Sequence, residues 1–116
     1  MNNGLTSATN YPFTESSGGH RREACLLSTG DVYPAVAGIT GYTDVNSYDE
    51  PAILYPVSSG AVSIGICAND DEFMFYSSGI LSFDSCCVQI NHAVVIVGYG
   101  YDNLTNLDYW IIQNSW

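Results

Sequence analysis

Two apolar segments near the end of the chain, NHAVVIVGYG over residues 91–100 and DYWIIQNSW over residues 108–116, decide its fold. Both are rich in β-branched and aromatic residues, which favour strands, and the interval DNLTNL over 102–107 is polar and turn-forming. A β-hairpin is therefore predicted. It brings His92, at the head of the first run, and Asn114, at the tail of the second, to the same end of a two-stranded ladder.

The register of this hairpin determines whether the two polar side chains can meet. If the residues that flank the predicted turn pair across it, a regular ladder places Asn114 opposite Val95. His92 then lies three residues, or about 10 Å, further along the strand and on the opposite face. A β-bulge or a different register is required, and Gly98 and Gly100 are the natural positions for the bulge.

A short helix is predicted before these strands. Ser47 begins an S-x-x-E capping box, and Pro51 lies just inside the first turn, so a helix over about 48–55 is expected. Pro56 is expected to end it, because proline lacks the amide hydrogen that a helix interior requires.

Between the helix and the hairpin, the sequence predicts one more strand and one helical turn. AVSIGICA, over 61–68, is a short β-branched run that indicates a buried strand. DEFMFYSSGI, over 71–80, favours a single helical turn with Gly79 as its stop. Residues 1–31 are rich in Asn, Ser, Thr and Gly and are typical of loop.

The composition restricts the classes of partner. The chain has 116 residues, enough for one domain at most, and 47% of them are hydrophobic, which is typical of a globular protein. Twelve acidic residues against two basic ones give a net charge of -10, which argues against nucleic acid or an anionic membrane as a partner. No apolar run has the length of a membrane span, and the first residues do not resemble a signal peptide.

An asparagine beside a histidine suits one kind of covalent catalysis. The amide oxygen accepts a hydrogen bond from one ring nitrogen and so sets the tautomer and the ring plane, which leaves the other nitrogen facing a nucleophile. A neutral amide rather than a carboxylate suits a histidine that is charged in an ion pair with a thiolate. His92 and Asn114 are therefore candidate catalytic residues.

The chain resembles the papain-like cysteine peptidases, and the motifs occur in the family's order. The histidine and asparagine segments are similar to 91–100 and 108–116, and NYPF, GAVSIGICA and FMFYSSGI resemble landmarks of the family further upstream. The resemblance implies an α+β fold, namely an incomplete antiparallel β-barrel (right) domain with a short helix over 32–116. Residues 1–31 are then a loop-rich crossover from the helical domain.

The resemblance implies roles for particular residues. His92 is general base and acid, Asn114 orients it, and Trp116 is the indole that shields their hydrogen bond from water. Gly65 and Ala93 match walls of the pocket for the second substrate side chain on the acyl side of the scissile bond, where small residues leave room for Leu, Phe or Tyr. Gly65 is equally well explained as a glycine for close strand packing. Asn91 is expected at the rim, against the substrate backbone.

The four cysteines do not include the family's nucleophile. None lies in a Cys-Gly-Ser-Cys-Trp context, and no oxyanion-hole glutamine precedes one. Cys25 and Cys86 resemble structural half-cystines whose family partners fall outside this sequence, whereas Cys67 and Cys87 have no assigned partners. The chain is therefore expected to be a fragment, truncated at both ends and inert alone. The identity of the nucleophile, Cys or Ser, and the choice of endo- or exopeptidase stay open.

Other interpretations compete with a peptidase fragment. A non-catalytic papain-like homologue could act as a binding or decoy module. A zinc site formed by Cys86, Cys87, His92 and His20 is disfavoured, because C-C-x4-H is not a zinc spacing, and no metal or cofactor is expected. The resemblance implies a peptide or protein substrate, a propeptide or a cystatin-like inhibitor as partners, and a lysosomal or secreted location. The sequon NLT at Asn103 is consistent with that location.

Overall fold

The structure, a computed structural model, describes residues 4–12, 34–46, 49–82 and 87–116. The chain divides into two compact units, Met1–Asp44 and Val45–Trp116. In the first, Leu5 and Ala37 form an antiparallel bridge, with the Leu5 amide donating to the Ala37 carbonyl oxygen at 2.7 Å. The assignment of 1–31 as a crossover and 32–116 as the barrel domain stays a prediction.

A helical segment opens the second unit and runs further than expected. A 3-10 helix, Glu50–Ile53, leads into α1, Leu54–Ser59, so Pro56 does not end the helix. Pro56 is the third residue of α1, and amides in the first turn of an α-helix have no partner within the helix, so the missing N–H costs little there. Asp49 caps the 3-10 helix, its Oδ1 accepting from the Ala52 amide at 3.3 Å. Ser47, the expected cap, lies outside the described residues.

Strand β1, Val62–Ile66, and helix α2, Asp71–Met74, follow as predicted in type. β1 is not buried throughout, since its residues alternate between half-buried and exposed, as in a strand with one covered face. The single turn of α2 ends at Met74, with Phe75 as its C-cap, before Gly79. Gly79 has a positive φ of 88°, and its carbonyl accepts from the Tyr76 hydroxyl at 2.6 Å.

The predicted hairpin is present and forms most of the sheet. β2, His92–Asp102, lies between β1 and β3, Leu107–Gln113, and both pairings are antiparallel. The turn occupies residues 103–106. No helix among the described residues is long and apolar enough to cross a membrane.

A β-bulge beside Gly98 sets the register of the hairpin. Near the turn Tyr101 pairs with Asp108, as expected, but the register shifts between Ile96 and Gly98, so Val97 is an extra residue on β2. Beyond the bulge, Val95 pairs with Gln113 rather than with Asn114. Continued by one residue, this register brings Asn114 opposite Val94, only two residues from His92 and on the same face.

The core of the described residues is small. Val57 of α1, Ala68, and Val94 and Ile96 of β2 are its buried hydrophobic members. Val94 and Ile96 share one face of β2 with His92, because alternate residues of a strand face the same side. α1 therefore covers the face of the sheet that also carries the histidine. The outer edge of β3 has no strand partner within the described sheet.

Candidate active site

The structure brings His92 and Asn114 into direct contact. His92 begins β2 and Asn114 follows β3, and His92 Nε2 lies 2.8 Å from Asn114 Oδ1. The contact depends on the bulge at Val97, because a regular ladder would place the two side chains on opposite faces. His92 is half-buried and Asn114 is exposed.

A second hydrogen bond determines which ring nitrogen carries the proton. Asn114 Oδ1 also accepts from the Ser115 amide at 2.8 Å, which identifies this atom as oxygen, because an NH₂ group cannot accept. His92 Nε2 must therefore donate to it. Nδ1 of the neutral ring is then the atom with a free lone pair, available to take a proton from a nucleophile.

Two aromatic rings pack around the imidazole. The Trp116 ring lies 4.7 Å from the His92 ring, tilted by 32°, and Phe73 of α2 contacts Trp116 edge-on at 5.5 Å. Phe73 is also 6.5 Å from His92. The Trp116 indole therefore lies beside the histidine, and its shielding role stays a prediction. Sequence reasoning assigned Phe73 to a helical turn and to the FMFYSSGI landmark, not to this contact. Its spacing from His92 along the chain carries no signal of the contact.

Asn91 links the start of β2 to the segment that leaves β1. Its Oδ1 accepts from the Ala68 amide at 2.9 Å, and its Nδ2 donates to Asn69 Oδ1 at 2.6 Å. The Asn91 amide donates to the Ile66 carbonyl at 3.0 Å. The residue before the histidine is therefore held by both its backbone and its side chain, although the side chain is exposed.

A disulfide bond between Cys67 and Cys87 reinforces the same junction. It joins residues 20 apart and so pairs the two cysteines that the sequence left unassigned. The Cys87 amide also donates to Asp70 Oδ2 at 3.3 Å. Sequence reasoning missed this pair because Cys87 is adjacent to Cys86, and only the sheet brings one of them to Cys67. Cys25, Cys86 and His20 lie outside the described residues.

Gly65 and Ala93 pair directly across β1 and β2, on the face opposite the buried residues of β2. A Cβ at Gly65 would lie 2.8 Å from Cγ2 of Ile90, so glycine is needed for Ile90 to pack there. Both Gly65 and Ala93 are exposed. Ile90, which is 70% exposed, thus covers part of the space that the two small residues leave, and no sequence pattern indicated it.

The Asp102 carboxyl group, at the far end of β2, has a lowered pKa. Hydrogen bonds from the Thr105 hydroxyl, the Thr105 amide and the Leu104 amide lower the pKa of its carboxyl group. The hydroxyl contact is 2.6 Å and the Thr105 amide contact 3.0 Å.

No cluster of His, Cys, Asp and Glu in the part of the chain that is described could hold a metal ion.

Comparison with known proteins assigns the chain to a family. The family model for papain family cysteine proteases matches residues 1–116. This chain belongs to the papain family of cysteine proteases. Macrodontain-1 from Ananas macrodontes is 37% identical over 115 residues, which are 99% of this chain and 47% of that protein. Cysteine proteinase COT44 from Brassica napus is 40% identical over 115 residues, which are 32% of its length.

Solved structures support the same papain-like fold. Bromelain protease from Ananas comosus, in complex with the E64 inhibitor, matches with a TM-score of 0.75 and 31% identity over 99% of this chain and 48% of the bromelain chain. The proform of the ragweed pollen allergen Amb a 11 matches with a TM-score of 0.74 and 32% identity, over 97% of this chain and 28% of its own. The predicted α+β, papain-like fold is confirmed, and the three described strands do not close into a barrel. The papain-family chain spans about half or less of the length of these relatives.

Proposed function

We propose that this chain supplies the histidine and its orienting asparagine to a papain-family cysteine peptidase that hydrolyses peptide bonds through a thioester. The observation that carries the proposal is the 2.8 Å contact between His92 Nε2 and Asn114 Oδ1, with the Ser115 amide marking the oxygen. Membership of the papain family supports it further. The cysteine nucleophile and the oxyanion-hole glutamine are then supplied outside these 116 residues, and the chain alone is inert.

In the proposed reaction, His92 acts through Nδ1. Nδ1 takes the thiol proton and forms an imidazolium beside the thiolate, which attacks the peptide carbonyl carbon. The imidazolium then protonates the leaving amine, and the neutral ring afterwards removes a proton from the water that hydrolyses the thioester. Asn114 accepts from Nε2–H throughout, so the ring keeps its plane while its charge changes. Trp116 limits access of water to that hydrogen bond.

The substrate is a peptide or protein, and Gly65, Ala93 and Ile90 form one wall of its side-chain pocket. The 2.8 Å approach of Ile90 to a Cβ at Gly65 supports a smaller apolar pocket than the two small residues alone imply. The Asn91 side chain uses its oxygen and its NH₂ group to bind Ala68 and Asn69. We therefore propose that Asn91 stabilises the rim of the pocket rather than binding the substrate directly. A propeptide or a cystatin-like inhibitor is the expected partner at the same surface.

An oxidising compartment, lysosomal or extracellular, is the proposed location. The Cys67–Cys87 disulfide supports it, because intrachain disulfides persist mainly in oxidising environments. Cys25 and Cys86 are proposed as half-cystines with partners outside these residues.

The test starts by sequencing the transcript outward from both ends of these codons, expressing the encoded protein and measuring hydrolysis of fluorogenic peptides. We expect an active peptidase that H92A reduces by about 10²–10⁴-fold or more. N114A is expected to cost about 10–150-fold, because a hydrogen bond to a charged group contributes about 1.5–3 kcal/mol. N106A, a hairpin asparagine far from His92, is the matched control. An encoded protein without peptidase activity, or one indifferent to H92A, would leave a non-catalytic homologue as the better description.

A further inference from the structure

We propose that Asn103 is a glycosylation site and carries an N-linked oligosaccharide. The sequence Asn103-Leu104-Thr105 satisfies the acceptor pattern, in which an asparagine precedes a hydroxyl residue by two positions with no proline between them. Residues 103–106 are the turn of the β2–β3 hairpin. The acceptor therefore lies at the tip of the hairpin, where its side chain is exposed.

The hydrogen bonds of the turn leave the acceptor side chain free. Asp102 accepts from the Leu104 amide, the Thr105 amide and the Thr105 hydroxyl, and these bonds close the turn on the side of β2. Asn103 itself is exposed, and its side-chain amide has no hydrogen bond to any described residue. Asn106, in the same turn, accepts from the Tyr101 hydroxyl at 3.0 Å and belongs to no such pattern. The two asparagines thus form a matched pair.

The turn lies far from the proposed catalytic site, so an oligosaccharide there is compatible with that site. His92 and Asp102 are the two ends of β2, so about ten steps of 3.3 Å, or about 33 Å, separate the histidine from the turn. An oligosaccharide at Asn103 would also place polar groups beside Leu104, which is 91% exposed. The modification therefore covers an apolar tip and lies at the opposite end of β2 from His92.

An independent feature of the chain points to the compartment in which this modification occurs. The Cys67–Cys87 disulfide requires an oxidising environment, and the lumen in which secreted chains acquire disulfides is also the place where asparagine is glycosylated. In the transfer step, Asn103 Nδ2 bonds to C1 of the first sugar of a lipid-linked oligosaccharide diphosphate. The bond between C1 and the diphosphate oxygen breaks, the lipid diphosphate leaves with the electron pair, and Nδ2 loses one proton.

The experiment is to express the 116-residue chain behind a secretion signal in a glycosylating eukaryotic cell and to map peptides from cells and medium by mass spectrometry. We expect the peptide that contains Asn103 to carry hexose and N-acetylhexosamine units, and an amidase that removes N-linked glycans should convert Asn103 to aspartate. N103Q and T105A should abolish the added mass, whereas T105S and N106Q should keep it.

Recovery of the Asn103 peptide only in its unmodified form, or of glycan only at another residue, would overturn the proposal. Analysis of whole cells as well as medium makes the result independent of whether the chain is secreted. Because peptidase activity is not measured, failure of this test leaves the proposed function unaffected, and failure of the proposed function leaves this test unaffected.

Discussion

Two single-residue deletions, one in each strand of the hairpin, test whether the bulge aligns the proposed catalytic pair. Val97 is the extra residue on β2, and Ile111 lies at the same level on β3, paired with Gly98. They are 45% and 49% exposed. Removing either side chain forfeits a similar apolar burial, about 1 kcal/mol for a half-buried Val or Ile. The two deletions are therefore matched in their expected cost to stability and differ in their effect on register.

Deletion of Val97 preserves every cross-strand pair that the structure contains. Gly98 then follows Ile96 directly, and their partners Ile111 and Ile112 are already consecutive on β3, so the ladder becomes regular without a shift. Asn114 stays two residues from His92 on the same face, and their hydrogen bond persists.

Deletion of Ile111 moves Asn114 away from the histidine. With the bulge retained, Asn114 comes opposite Val95, three residues from His92 and on the other face. With the bulge lost, it comes opposite Ile96, four residues or about 13 Å away along the strand. In either arrangement the side chains are beyond hydrogen-bond distance, so this deletion should cost at least the 10–150-fold expected for N114A.

The assay is peptide hydrolysis by the protein translated from the complete transcript, with N114A introduced into each deletion. We expect N114A to reduce activity about 10–150-fold in the parent and after deletion of Val97, but by no more than about 2-fold after deletion of Ile111. The NMR signal of the His92 Nε2 proton provides a readout independent of turnover. Equal losses in the two deletions, or a full N114A effect after deletion of Ile111, would refute the argument from register.

Three further predictions concern the segments around the site. Removing the disulfide with C67A/C87A should lower the free energy of unfolding by about 3 kcal/mol, the loop-closure value for residues 20 apart. Urea denaturation measures this loss, and a loss below about 1 kcal/mol would contradict the prediction. T105V should raise the lowered pKa of Asp102 towards its ordinary value, which NMR titration measures, and an unchanged pKa would contradict this. A carboxyl group with a lowered pKa stabilises the fold at pH values above its ordinary pKa, and this stability is lost as the pH falls through the lowered pKa. The parent hairpin should therefore lose more stability on acidification than T105V. N91A should destabilise the protein by about 1–3 kcal/mol, because it leaves the Ala68 amide without an acceptor. N91D keeps a side-chain oxygen at this position and should destabilise the protein less, so thermal unfolding of the two variants measures the contribution of this hydrogen bond.

Local pattern predicted the elements more reliably than their ends. The hairpin, the strand over 62–66 and the turn of helix at 71–74 follow from β-branched runs and helical spacing, which act over a few residues. The end of α1 was predicted wrongly at Pro56, because proline disrupts a helix interior but not its first turn. That distinction depends on where the α-helix begins, and the preceding 3-10 helix shifts its start to Leu54.

The sequence by itself determined the chemistry available to this protein: the histidine and asparagine segments, their order, and the need for either a bulge, at Gly98 or Gly100, or a different register. Those features follow from the residue types and from the alternation of side chains between the two faces of a strand. Only the tertiary structure decided that Val97 is the extra residue, that Phe73 lies against Trp116, and that Cys67 rather than a neighbouring cysteine bonds to Cys87. The physical reason is that each of these features depends on how separate segments pair, and the pairing of β2 with β1 and with β3, not a local preference, decides it.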